Sequence, residues 1–285
     1  MNIRKTITGG ALVAGALALA IPASAGPNTV YDSVPSPLPA SLPSIGYQAT
    51  QTAEAGDLIA LAGGATTLDS MTVGMVSWAC ESGAWNTGDC ETTPGTTFDH
   101  PVTVKLYDPV DIDTPIAAVT QTVAVPFRPS ADEECGDNGG DDRRWLSDDG
   151  CTYGYLFEIE FDLDRVEVPA QVIASVAFDT QSYGEAPIGA PGPYNALNLG
   201  LVAAAPSTGT NVDPDSIYID SPYYDSPNGF GLSDYYGEGW GGYTPAISLN
   251  TASVPVTVEK CNANFADLGF KNVGQCVASV TASKG

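Results

Sequence analysis

Residues 155–164 read YLFEIEFDLD. Tyr155, Phe157, Ile159, Phe161 and Leu163 fall on one parity, and from the second step onward Glu158, Glu160, Asp162 and Asp164 fall on the other. A repeat of two belongs to an extended strand, whereas a helix would place its apolar residues three and four apart. The stretch therefore predicts a strand with one face in a core and an acidic face in water, the pattern of an antiparallel sheet covering a core. Glu158 and Glu160 are accordingly read as a solvated face and not as a catalytic pair.

The same period recurs on either side. Val102, Val104 and Leu106 alternate with Thr103, Lys105 and Tyr107, and Val172, Ala174, Val176 and Phe178 form a second set. Leu197, Leu199 and Leu201 make a third, and Val254, Val256 and Val258 a fourth. Further strands are expected near 47–53, 57–62, 67–78, 116–125 and 215–220. Beyond the first 25 residues no window of helical length carries a 3.6 period. The 31 glycines and 22 prolines suit short strands joined by many turns. These features predict an all-β fold, an antiparallel two-sheet β-sandwich of jelly-roll type with roughly nine to eleven strands and disulfide-stapled loops.

The N-terminus reads as an export signal. Arg4 and Lys5 precede an apolar run, Ala11–Ile21, and Ala23-Ser24-Ala25 supplies small residues for cleavage after Ala25. That run is too short to span a bilayer, and no later segment is long and apolar enough. The expectation is a secreted protein with no membrane insertion: signal peptide 1–25, a Pro-rich lead-in 26–46, a sandwich domain 47–250, and a C-terminal strand with a disulfide-closed tail 251–285. The formal net charge is −24, from 10 basic and 34 acidic side chains, and removal of the signal takes two of the basic ones. Such a surface lacks the basic footprint that nucleic acid or an anionic membrane requires.

Six cysteines fall into three close pairs, Cys80 with Cys90, Cys135 with Cys151, and Cys261 with Cys276. Six allow fifteen pairings; the local one is expected in an exported chain, each closed loop contributing about 3 kcal/mol. The second pair brackets CGDNGGDDRRWLSDDGC, which holds Asp137, Asp141, Asp142 and Asp148. Counted from Asp137, an EF-hand would need an acid where Gly139 stands and a glycine where Asp142 stands, so the spacing rejects that motif. A looser oxygen cage for weakly bound Ca2+ remains as the candidate metal site, with Asp108, Asp111 and Asp113 a weaker second. Otherwise no cofactor is expected, and Arg143 and Arg144 are read as partners of neighbouring aspartates.

Catalytic signatures are sparse. The single histidine, His100, lies in FDHPV and reads as a turn residue at a strand entrance. A Ser-His-Asp triad would have to use it, yet no G-x-S-x-G elbow occurs. GEGWGG, residues 237–242, matches a dinucleotide fingerprint in letters only, for no strand precedes it and no helix follows. The richer signal is aromatic. Tyr223, Tyr224, Tyr235, Tyr236, Trp240 and Tyr243 stand in a Gly-, Ser- and Asp-spaced stretch that also holds Tyr218 and Phe230. Aromatic faces of this kind stack on pyranose rings, so these six are the candidate ligand-binding residues. The bland alternative is a long loop packing its tyrosines over the sandwich.

Several runs resemble a group of uncharacterised secreted proteins of actinobacteria: YDSVPSPLPASLPSIGYQAT, GDLIALAGG, LDSMTVGMVSWACESGAWNTGDCETTPGTTFDHPVTVKLYD, VPFRPSAD and APIGAPGPYNALN. The resemblance covers roughly residues 31–205 and implies a β-sandwich without an assigned activity. The tail CNANFADLGFKNVGQC resembles a two-cysteine C-terminal motif of actinobacterial exported proteins. Phe270-Lys271-Asn272 and both cysteines match, while Ala263-Asn264-Phe265 replaces a Gly-Gly-Trp. The functional expectation is a secreted, non-catalytic binding or structural protein with a glycan, cell-envelope or protein ligand. The rival is a secreted carboxylate-dependent hydrolase such as a glycosidase.

Overall fold

In a computed structural model the described residues are 28–136, 143–178, 197–222, 229–234, 241–251, 258–265 and 271–282. The first strands are β1 (Asn28–Asp32), β2 (Ser44–Gly46), β3 (Glu54–Ala60), β4 (Thr66–Ser77), β5 (Thr97–Tyr107), β6 (Ala117–Pro126), β7 (Trp145–Ser147) and β8 (Gly150–Thr152). They are followed by β9 (Tyr155–Val168), β10 (Gln171–Ala177), β11 (Leu197–Val202), β12 (Thr210–Asn211), β13 (Ser216–Asp220), β14 (Gly231–Asp234), β15 (Thr244–Pro245) and β16 (Ile247–Thr251). Three helices, α1 (Tyr47–Thr50), α2 (Val258–Asn264) and α3 (Val273–Ala282), and a 3-10 turn at Glu133–Cys135 complete the described elements.

Residues 27–253 form one compact unit made of two large antiparallel sheets and a separate β7–β8 hairpin. One is built on the order β1-β16-β4-β9, the other on β3-β10-β5-β6. The chain passes between sheets at nearly every step, from β3 to β4 to β5, and from β6 to β9 to β10. That alternation, with these two orders, is the jelly roll of eight strands in two Greek keys. Strand β11 continues the first sheet beside β4, where Leu197 pairs with Ser77, and carries β2 and β15. Strands β12, β13 and β14 extend the second sheet beyond β3.

The period-two pattern fixes which side chains meet. Val102, Val104 and Leu106 of β5 and Val172, Ala174 and Val176 of β10 face inward from one sheet; Ile159, Phe161, Met71 and Val73 face them from the other. Glu158, Glu160 and Asp162 are exposed, as the alternation requires. The inward phase slips after Leu163, because β9 bulges against β4: Asp162 pairs with Ser70, but Val166 with Leu68. Asp164 and Arg165 take φ of 49° and 63° to form it, and Val168 then points into the core.

Three expectations need correction. Residues 47–50 form the short α1 and not a strand. Tyr47 is fully buried, stacks on Phe178 at 4.0 Å and donates its hydroxyl to Val176 O at 2.6 Å, an anchor that extended backbone paired in the sheet does not provide. His100 is not at a turn: it lies inside β5, 2% exposed, edge-on to Phe178. At the C-terminus, residues 252–257 lie outside the described residues and Val258 opens α2 where alternation predicted strand.

Residues 254–285 belong to a second compact unit. There α2 and α3 are clasped by Cys261–Cys276, with Phe265 and Val277 packed against the disulfide. Helices of 7 and 10 residues are too short to display a clear 3.6 period, and two valine steps mimicked a strand.

All three expected disulfides are present, and no free cysteine remains among the described residues. No described helix is long and apolar enough to cross a membrane.

Candidate functional site

One charged residue sits on the inward phase of a core strand. Ala55 and Ile59 of β3 point into the core, and Asp57 shares their parity, 2% exposed. A carboxylate there needs donors, and it has three. Leu58 N donates to Oδ1 at 2.8 Å, while Asn211 Nδ2 and Thr244 Oγ1 donate to Oδ2 at 2.7 and 3.0 Å. The Thr244 hydroxyl is also 3.2 Å from the hydroxyl of the fully buried Tyr31. Four segments, β3 and β12 from one sheet and β1 and β15 from the other, are thus tied at one carboxylate. Burial outweighs these donors and pushes the Asp57 carboxyl well above its ordinary range, with the Asp213 charge adding to the effect. Burial likewise raises the Tyr31 hydroxyl to about 12.

Asn211 and Thr244 form the inner wall of a cavity of about 320 Å³ bounded otherwise by Ala203–Pro206, Gly209, Thr210, Pro214 and Gly242. Each wall is tethered separately. Ser207 N and Asp32 N donate to Asp32 O and Thr208 O, and Ser207 Oγ donates to Asp32 Oδ2, fixing the 203–209 segment against β1. Gly209 must be glycine: its φ is +72°, and a Cβ would lie 2.8 Å from the Tyr31 ring. Gly242 N donates to Pro214 O at 2.8 Å, closing the opposite rim. Pro214 and Gly242 also bracket all of the tyrosine-rich stretch but Tyr243 in sequence.

The residues singled out from sequence fall as follows. Tyr223, Tyr224, Tyr235, Tyr236 and Trp240 lie outside the described residues, as do Asp137, Asp141 and Asp142. Tyr243 is half-buried and packs against the core next to Thr244. Phe230, from the same stretch, stacks on Tyr107 at 5.1 Å on the outer face of the second sheet and has the Tyr218 ring 6.0 Å away. Asp148 is exposed in the turn between β7 and β8. Among the described residues no group of three His, Cys, Asp or Glu is placed to hold a metal ion. Asp57 carried a signal in the sequence, an acid on the apolar phase of GDLIA, but its partners lie 154 and 187 residues away.

Two other polar clusters are built differently. On the outer face of the second sheet Glu54 is 5% exposed and fully engaged, accepting from Lys105 Nζ at 2.5 Å, Tyr107 OH at 2.8 Å and Ser175 Oγ at 2.5 Å. This cross-links β3, β5 and β10. A wide recess of about 760 Å³ beside the Cys80–Cys90 loop is lined by Glu81, Asp89, Glu91 and Glu133. Hydrogen bonds from Thr93 and from Thr87 hold the Glu81 and Asp89 carboxyls below their usual range, so both stay ionised there.

Nearby, the loops after β4 and before β9 pack Trp78 on Tyr153 at 5.3 Å, with Trp85 edge-on to both. Buried Arg128 staples them, donating its amide to Ala79 O and its Nη2 to Arg143 O, each at 2.8 Å.

No protein-family model, characterised protein or solved structure matches this chain.

Proposed function

We propose that this protein is a secreted, non-catalytic jelly roll that binds glycan at the cell surface or in the medium. The observation that carries the reading is the cavity at Asn211 and Thr244, with tethered walls, apolar small residues and polar groups set in orientation by a buried acid. Small-ligand sites are commonly of this kind, largely preformed and mostly apolar with a few fixed polar groups. The tyrosine-rich stretch leaves its rim at Pro214 and returns at Gly242. A two-carboxylate hydrolase is the rival, and it needs a desolvated acid that touches substrate. Among the described residues Asp57 and Glu54 are the desolvated acids. Asp57 reaches the cavity through Asn211 and Thr244, and Glu54 is engaged by three donors on the outer sheet face. In the larger recess Asp89 is exposed and Glu81 half-buried, both held below the usual carboxyl range.

A pull-down of the mature protein on a panel of polysaccharides and cell-wall preparations, with and without chelator, tests this. Retention on a glycan that Trp240→Ala abolishes supports it. Retention on nothing, with release of reducing sugar from any member of the panel, overturns it in favour of a hydrolase.

A further inference from the structure

The geometry points to the cavity between Ala204, Pro206, Asn211, Pro214, Gly242 and Thr244 as a subsite for one uncharged, hydroxyl-rich unit of monosaccharide size. This inference rests on the glycan-binding reading and specifies where the glycan binds and of what charge it is. Three features select the ligand.

The first is volume: about 320 Å³ lies at the lower end of small-ligand pockets, enough for a single ring and not for a chain laid lengthwise. The second is charge. Among the described residues none that lines the cavity bears a charged side chain, Asp213 and Asp215 lie around it, and the whole chain carries −24. An anionic sugar would meet repulsion with no cation among the described lining residues to offset it.

The third is hydrogen-bond capacity. Asn211 spends one Nδ2 hydrogen on Asp57 and its Oδ1 on Asp213 N at 3.0 Å, leaving its second Nδ2 hydrogen as a donor of fixed direction. Thr244 is likewise committed to Asp57, so its hydroxyl is oriented before a ligand arrives. A sugar hydroxyl accepts as well as donates, and so meets such a donor without leaving it unpaired when the ligand displaces water. The apolar wall Ala203–Pro206 then faces the C–H edge of the ring. Because the walls are tethered by Asp32, Asp57 and Pro214, little ordering cost falls on binding.

The test is a titration of the mature, disulfide-intact protein, 15N-labelled, with D-glucose, D-galactose, D-mannose and D-glucuronate, following the Gly209 and Gly242 amides and the Asn211 side-chain NH2. The expected result is saturable shifts of these three signals with at least one neutral sugar and none with glucuronate. Ala204→Trp fills the cavity from an exposed position without touching the core, and should weaken binding at least about tenfold. Its unchanged spectrum elsewhere reports that the fold is intact. Shifts confined to other residues, unchanged affinity in Ala204→Trp, or equal response to glucuronate overturn the subsite. If the polysaccharide panel still retains the protein in that case, glycan binding stands and only this assignment falls. If neither sugar nor polysaccharide binds, both fall.

Discussion

The substitution Asp57→Asn separates two forces acting on one buried carboxyl. Three donors at 2.7–3.0 Å favour the ionised form, and removal from water disfavours it. Burial is the larger cause, so the folded carboxyl keeps its proton to higher pH than the unfolded one. The sign follows by linkage. Where the folded state binds the extra proton, stability falls as pH rises, at most by about 1.4 kcal/mol per pH unit for a single group. The contribution of Asp57 is therefore full below the unfolded value near 4 and is lost as pH rises through the folded value. Asparagine does not titrate, so the difference between wild type and variant isolates this group from the other 33 acids. Urea unfolding without reductant, followed by tryptophan fluorescence from about pH 4 to 7, measures it. The wild-type advantage should be greatest at the acid end and shrink by up to about 1.4 kcal/mol per unit. A flat difference refutes the raised carboxyl. A wild-type advantage that grows with pH means that the three donors outweigh burial, and that Asp57 is an anion locked in the core.

Two further outcomes follow from the packing. Replacing Cys80 and Cys90 together by serine opens a loop whose cysteines are 10 residues apart and which carries Trp85 against Trp78, and should cost about 3 kcal/mol in urea unfolding; a loss under about 1 kcal/mol would mean that the loop is held by its aromatic contacts instead. Gly56→Ala places a Cβ 2.3 Å from Ala174 O and 2.5 Å from Ser175 Cβ, both on the paired strand β10. Because a strand backbone cannot swing aside as a side chain can, the variant should lose about 1–3 kcal/mol or fold poorly. Unchanged stability would sink the register assigned to β3 and β10.

The fold was legible because its information is local. Ile159, Phe161 and Leu163, or Val102, Val104 and Leu106, declare their face within five residues, and close cysteine pairs declare their partners within sixteen. Reading failed where a local pattern was too short or was overruled by a distant contact. Tyr47 sits in a β-prone segment, but its ring belongs against Phe178 and its hydroxyl against Val176, more than 120 residues on. His100 stands beside a proline and reads as a turn until Phe98 and Phe178 close around it. The alternation of Val254, Val256 and Val258 covers three valines only, and Val258 is already helical.

The candidate site was illegible for a related reason. Asp57, Asn211, Thr244 and Tyr31 come from β3, β12, β15 and β1, and nothing in the spacing of GDLIA, TN, TP or TVY links them. The jelly roll does so by laying β3 and β12 in one sheet and β1 and β15 in the other. An acid on the inward phase of a strand is nonetheless a readable anomaly, since it must either be paired or remain protonated, and either way must recruit polar partners from across the core. Those partners then have one face committed inward and one directed outward. Asn211 meets that description, with its second Nδ2 hydrogen uncommitted, and the cavity is lined by it and by the buried Thr244. The buried carboxyl thereby converts a cost in stability into fixed hydrogen-bonding directions at the surface, which makes this end of the sandwich the place to look for a ligand.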